Sequence, residues 1–168
     1  MGKKTHWLSF FRISHLNLIV DNLETVLNKI VKEYKEIEKY ESLPYREEYD
    51  ETLGFIFMAF QSFISGTIAD FLNNLEYKRI DAGEKNRILK LDKKFNEQYT
   101  IVEIINGLAN FFKHKDEGPL SGETAKIISS LKIDINDFPL TSALYILEKK
   151  GRVQELKQYV IEWRETLV

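Results

Sequence analysis

Leu53-Gly54-Phe55-Ile56-Phe57-Met58-Ala59-Phe60-Gln61-Ser62-Phe63-Ile64-Ser65-Gly66-Thr67-Ile68 is the stretch that decides the fold. No charge falls between Glu51 and Asp70, and the apolar residues cover nearly the whole circumference of a helix. A helix apolar all round is either a membrane span or the buried centre of a bundle. A span needs about 20 predominantly apolar residues, and Gln61, Ser62, Ser65 and Thr67 interrupt this one. The stretch therefore reads as a central helix from about Tyr45 to about Leu75, with no membrane. Pro44 suits its first turn, where an N–H would go unpaired anyway. Glu47 and Glu48 complement the helix dipole there. Gly54 and Gly66 would let neighbouring elements pack closely against it.

Working outward, almost everything else has helical period. Leu16, Val20, Leu23, Leu27, Ile30, Tyr34 and Ile37 recur at three-four spacing, which predicts an amphipathic helix with Ser14 as its N-cap. Residues 1–13 read as a short extension before it. Downstream, Asp81-Ala82-Gly83 reads as a turn, and Ile88, Leu89, Leu91 and Phe95 mark a polar helix. Thr100 to His114 is strongly helical, and Gly118-Pro119 stops it. Ser121 can cap a helix holding Ala125, Ile127, Ile128 and Leu131. Asp134 to Pro139 reads as a loop, and Thr141 or Ser142 opens a short helix that ends at Lys149-Lys150-Gly151. Val153, Leu156, Val160 and Trp163 make the last helix amphipathic. With no strand pattern, the 168 residues read as one all-α domain, a bundle of long antiparallel helices.

Bulk properties exclude several classes. A formal charge of −2 argues against a dedicated nucleic-acid binder, which carries a basic face. There is no cysteine, hence no disulfide framework and no thiol nucleophile. The apolar part of Met1 to Phe11 is short and Arg12 interrupts it, unlike a signal peptide. His6 stands where a myristoylation motif needs Ser or Thr. A cytoplasmic location is the expectation. His6, His15 and His114 are scattered without metal-ligand spacing, and no Gly-rich loop follows a strand, so neither metal nor cofactor is expected.

On the helix from Thr100 to His114, Ile101, Ile104, Ile105, Leu108 and Phe112 fall on one side. Glu103, Gly107, Asn110 and His114 form a stripe on the other, at i, i+4, i+7 and i+11. Glycine costs a helix interior about 0.5–1 kcal/mol relative to alanine. Gly107 therefore implies that another helix or another chain approaches this face, and the four residues are read as an interface.

Ala109-Asn110-Phe111-Phe112-Lys113-His114 resembles the RNx3H motif of HEPN-domain proteins, all-α proteins that often cleave RNA without metal. The resemblance implies a HEPN-like bundle and a homodimer that brings two motifs together. It also implies that His114 and an arginine act on the ribose 2′-hydroxyl and the phosphate, with Asn110 in support. Asn110 and His114 match, but Ala109 occupies the arginine's place. Negative charge developing on phosphorus calls for a fixed cation, and Lys113 or Lys115 would have to supply it. The catalytic candidates are thus Asn110, Lys113 and His114.

A second constellation lies between Lys32 and Glu51. It holds eight carboxylates interleaved with Tyr34, Tyr40, Tyr45 and Tyr49. Carboxylates steer an encounter with a basic partner, and tyrosines anchor the contact. Tyr40, Glu41, Tyr45, Glu47, Glu48, Tyr49 and Glu51 are the expected partner-binding residues. The expectation is a non-catalytic binding module of the bacterial immunity or antitoxin type, which neutralises a basic nuclease toxin. The alternative is a metal-independent HEPN-type ribonuclease of phage defence or toxin–antitoxin systems, with RNA as its ligand.

Overall fold

The computed structural model describes residues 3–35, 43–74 and 82–167. Among them are seven helices and no strand: α1 (Lys3–Tyr34), α2 (Leu43–Asn74), α3 (Ala82–Leu89), α4 (Ile101–His114), α5 (Gly122–Leu131), α6 (Pro139–Leu147) and α7 (Val153–Leu167). The chain is an all-α bundle built around α2. By length and composition α2 could cross a membrane. In this fold α1, α4, α6 and α7 pack on it, and Leu53, Ile56, Phe57, Phe60, Ile64, Ile68 and Leu72 are buried among them.

α1 runs antiparallel to α2. Arg12 near its start pairs with Asp70 near the end of α2, while Ile30 and Tyr34 share a groove with Tyr45 and Tyr49. Its inner face is Leu16, Val20, Leu27 and Ile30, the three-four spacing expected. The helix starts at Lys3, however, so residues 3–13 continue it and Ser14 lies in its interior. Nothing between Thr5 and Ile13 breaks a helix, since neither Gly nor Pro occurs there.

Two further boundaries differ from expectation. α3 ends at Leu89, leaving Leu91 and Phe95 exposed on a loop. That loop is closed by Phe95 N–H donating to Tyr99 O, and Asn96 Oδ1 accepts from the amides of Gln98 and Tyr99. α6 starts at Pro139, two residues early, and ends before Lys149. As expected of its glycine, the polar stripe of α4 turns to a neighbouring helix at Gly107, while His114 at its end is exposed.

α7 closes the bundle over α1 and α2. The Gln154 amide donates to Asp21 and Glu24 at 2.9 and 2.5 Å, and Lys157 pairs with Asp21 at 2.6 Å. Deeper, Asp70 takes both Nε and Nη2 of Arg12, at 2.8 and 3.1 Å. Arg164 stands 3.6 Å from the same carboxylate and donates to Thr67 Oγ1 at 3.1 Å. A Cβ on Gly66 would stand 2.3 Å from Nη1 of Arg12, so the guanidinium crosses α2 at the one position with no side chain in its way. Burial pushes the pKa of Arg164 down, Asp70 opposes that, and the charge of Arg12 adds to it.

Candidate functional site

A groove of about 320 Å³, lined mainly by aromatic side chains, lies at the end of the α1–α2 pair. Tyr45 and Tyr49, one turn apart on α2, meet Ile30, Val31 and Tyr34 of α1 on one side. Phe138, Thr141 and Tyr145 of α6 and its N-cap form the other side, with Arg46 beside them. Four tyrosines and a phenylalanine line one cleft. Burial, with Tyr145 and Glu24 nearby, pushes the Tyr49 phenol above its ordinary pKa.

The α6 wall is held in place from α2. Asp50 Oδ1 accepts from the backbone N–H of Thr141 at 2.7 Å and from its hydroxyl at 2.9 Å. The N-cap residue of α6 is Phe138, which has no group to cap with, so Asp50 satisfies the orphan amide that a local Ser or Asp would normally take. Burial raises the Asp50 pKa, while the Thr141 bonds and the charge of Lys115 hold it down. Phe138 adopts left-handed backbone, φ 47°, strained for a bulky residue. Its ring lies under the Arg46 guanidinium at 4.0 Å, and Arg46 also reaches Asp137 at 3.4 Å.

Of the expected partner-binding residues, Tyr45 and Tyr49 are in the groove, and Tyr40 and Glu41 lie outside the described residues. Glu47 and Glu48 are exposed, and Glu51 pairs with Lys115 at 2.6 Å. Helical spacing sets Glu47 and Glu51 on the side of α2 opposite Tyr45 and Tyr49. The single tyrosine–carboxylate surface read from the sequence is therefore two surfaces on one helix. Phe138 and Tyr145 were missed, for they come from a segment some 90 positions away that carries no motif.

The α4 motif is dispersed. Thr100 and Glu103 form a reciprocal capping box, so Glu103 is buried as the cap of its own helix. Its signal was present as Thr-x-x-Glu ahead of an apolar run. Gly107 faces Ile127 of α5, a helix of the same chain. Asn110 is half-buried, its Oδ1 accepting from the Gln61 amide at 2.9 Å, and the same amide also serves Asn106. His114 is open to solvent, with Nδ1 2.8 Å from Glu117 Oε2. Ala109, at the position the resemblance assigns to arginine, is wholly buried, so a side chain there would enter the core. Lys113 is exposed, and its charge adds to burial in pushing down the pKa of Lys85, which donates to Ser65 Oγ at 3.2 Å.

No cluster of potential metal ligands occurs among the described residues. No protein-family model matches the chain, and neither a curated protein nor a solved structure matches it.

Proposed function

We propose that this chain is a non-catalytic protein-binding module whose docking surface is the aromatic groove between α1, α2 and α6. The observation that carries the reading is the convergence of Tyr34, Tyr45, Tyr49 and Tyr145 on one cleft from three helices. Tyrosines of this kind anchor protein interfaces, and their faces attract cations. The sequence from Glu36 to Glu51 holds seven carboxylates against Lys39 and Arg46, although Glu47 and Glu51 lie on the side of α2 away from the groove. A basic polypeptide is the partner that this chemistry selects. The biological role we assign is that of a cytoplasmic bacterial immunity or antitoxin-type protein masking a basic nuclease toxin.

The test is capture from a native lysate with the wild-type chain and with Tyr45→Ala/Tyr145→Ala as baits. A basic protein retained by the first and lost by the second supports the reading. Enrichment of RNA without a protein overturns it.

One observation favours a second reading, a metal-independent HEPN-type ribonuclease. Glu117 stands 2.8 Å from Nδ1 of His114 and the ring is exposed, an arrangement suited to proton exchange. It requires Lys113 to provide the cation, cleavage in EDTA that leaves 2′,3′-cyclic phosphate ends, and loss of activity in His114→Ala. Purified protein that leaves a mixed RNA intact at neutral pH removes it.

A further inference from the structure

Four large apolar side chains stand on the outer face of α1: Phe11 is 62% exposed, Leu18 61%, Ile19 46% and Val26 41%. The buried face of the helix, with Leu16, Val20 and Leu27, is the one packed on α2. Scattered exposed apolar residues need no explanation, but a stripe along four turns of one face does.

The stripe is symmetrical in sequence about the Leu18–Ile19 bond. Phe11 and Val26 are equidistant from that bond, and so are His15 and Asn22, which lie on the same face. A two-fold axis through this point packs α1 antiparallel on a second α1. It sets Leu18 on Ile19, Phe11 on Val26 and His15 on Asn22, each pairing made twice. We propose that the protein forms a homodimer through this outer face of α1.

The polar layer is complementary. The Asn22 amide nitrogen donates to Leu18 O at 2.6 Å, which leaves its side-chain oxygen open to an imidazole N–H. The His15 ring sits edge-on to Phe11, 4.8 Å between centroids, and its nitrogens have no partner among the described residues. A buried polar pair in an otherwise apolar helix seam fixes register.

The size is that of a weak, concentration-dependent dimer. From position 4 to position 33 the helix runs about 43 Å, and a strip about 10 Å wide on each copy covers on the order of 850 Å² in total. Beside it, Ala59 and Ser62 of α2 leave a groove of about 260 Å³ that His15 and Ile19 also line. A contact of this size sits at the weak end of specific interfaces, so the dimer should dissociate on dilution.

Sedimentation velocity over a concentration series tests the proposal. The expected result is a species of twice the 19.8 kDa chain mass, with dimerisation weakened at least tenfold by Leu18→Glu. That side chain is exposed, so circular dichroism and melting of the variant should match wild type. The chain has no cysteine, which allows a test of register. Phe11→Cys and Val26→Cys proteins mixed with a short bismaleimide should give far more covalent dimer than either alone. A monomer at every concentration overturns the proposal, whatever else the stripe binds. So does a dimer indifferent to Leu18→Glu, or equal cross-linking of the mixed and the single proteins.

Discussion

The Cβ that Gly107 lacks would stand 2.7 Å from Cδ1 of Ile127 and 3.0 Å from its Cγ2. α4 and α5 therefore meet where a hydrogen is the only side chain that fits without displacement. Gly107→Leu should overpack this contact and destabilise the fold by about 1–3 kcal/mol, lowering the melting temperature by roughly 2–4 °C per kcal/mol. Adding Ile127→Ala to the same chain should return part of the loss, because the two sites share the contact. Unchanged melting of Gly107→Leu would show that α5 does not sit here.

Asp70 is the one described carboxylate shared by Arg12 and Arg164. Asp70→Ala leaves two guanidiniums facing each other, one of them buried, and should cost about 3–5 kcal/mol. Arg12→Ala should cost less, since Arg12 is partly open to water and its loss also removes repulsion from Arg164. Denaturant midpoints of the two variants give the order. The reverse order would contradict the shared-carboxylate geometry.

Asp50 links stability to pH. Its pKa in the native state is raised above 3.8, chiefly by burial, so the native protein binds a proton at higher pH than the unfolded chain does. This contribution to stability is fully present below the unfolded value and is lost as pH rises through the raised native value. Asp50→Asn keeps an acceptor for Thr141 but cannot titrate, so that decline should flatten in urea midpoints measured from pH 3.8 upward. Asp50→Ala loses the cap as well as the titration, so its profile should be as flat as that of Asp50→Asn and lie about 1 kcal/mol below it. Identical pH profiles for wild type and Asp50→Asn would place the titration elsewhere.

His114→Ala should change stability by no more than about 0.5 kcal/mol, because the His114–Glu117 pair is solvent-exposed on both sides. A thermal melt checks this. Any larger loss would mean that the imidazole holds the α4 terminus together.

The central helix was legible in the sequence because an uncharged run apolar on every side leaves few alternatives to burial. The neighbour at Gly107 was legible too, since glycine in an apolar helix calls for a steric reason. What escaped has a common physical cause in long-range supply. The start of α6 could not be read locally because its cap is Asp50, 91 positions away. The groove drew Tyr145 and Phe138 from that same distant segment. Ser14 misled for a different reason: a serine can cap a helix or sit inside one, and only the flanking chain decides.

α7 makes its last contacts with the first helices: Gln154 and Lys157 reach Asp21, and Arg164 reaches Asp70. During synthesis α1 and α2 emerge long before these partners exist. Asp70 then has Arg12 alone, and the apolar surface that Val160 and Trp163 help to bury waits uncovered. A nascent chain stopped before residue 153 would present that surface to other chains, so the amino-terminal half is the part of this molecule most exposed to aggregation while it is being made.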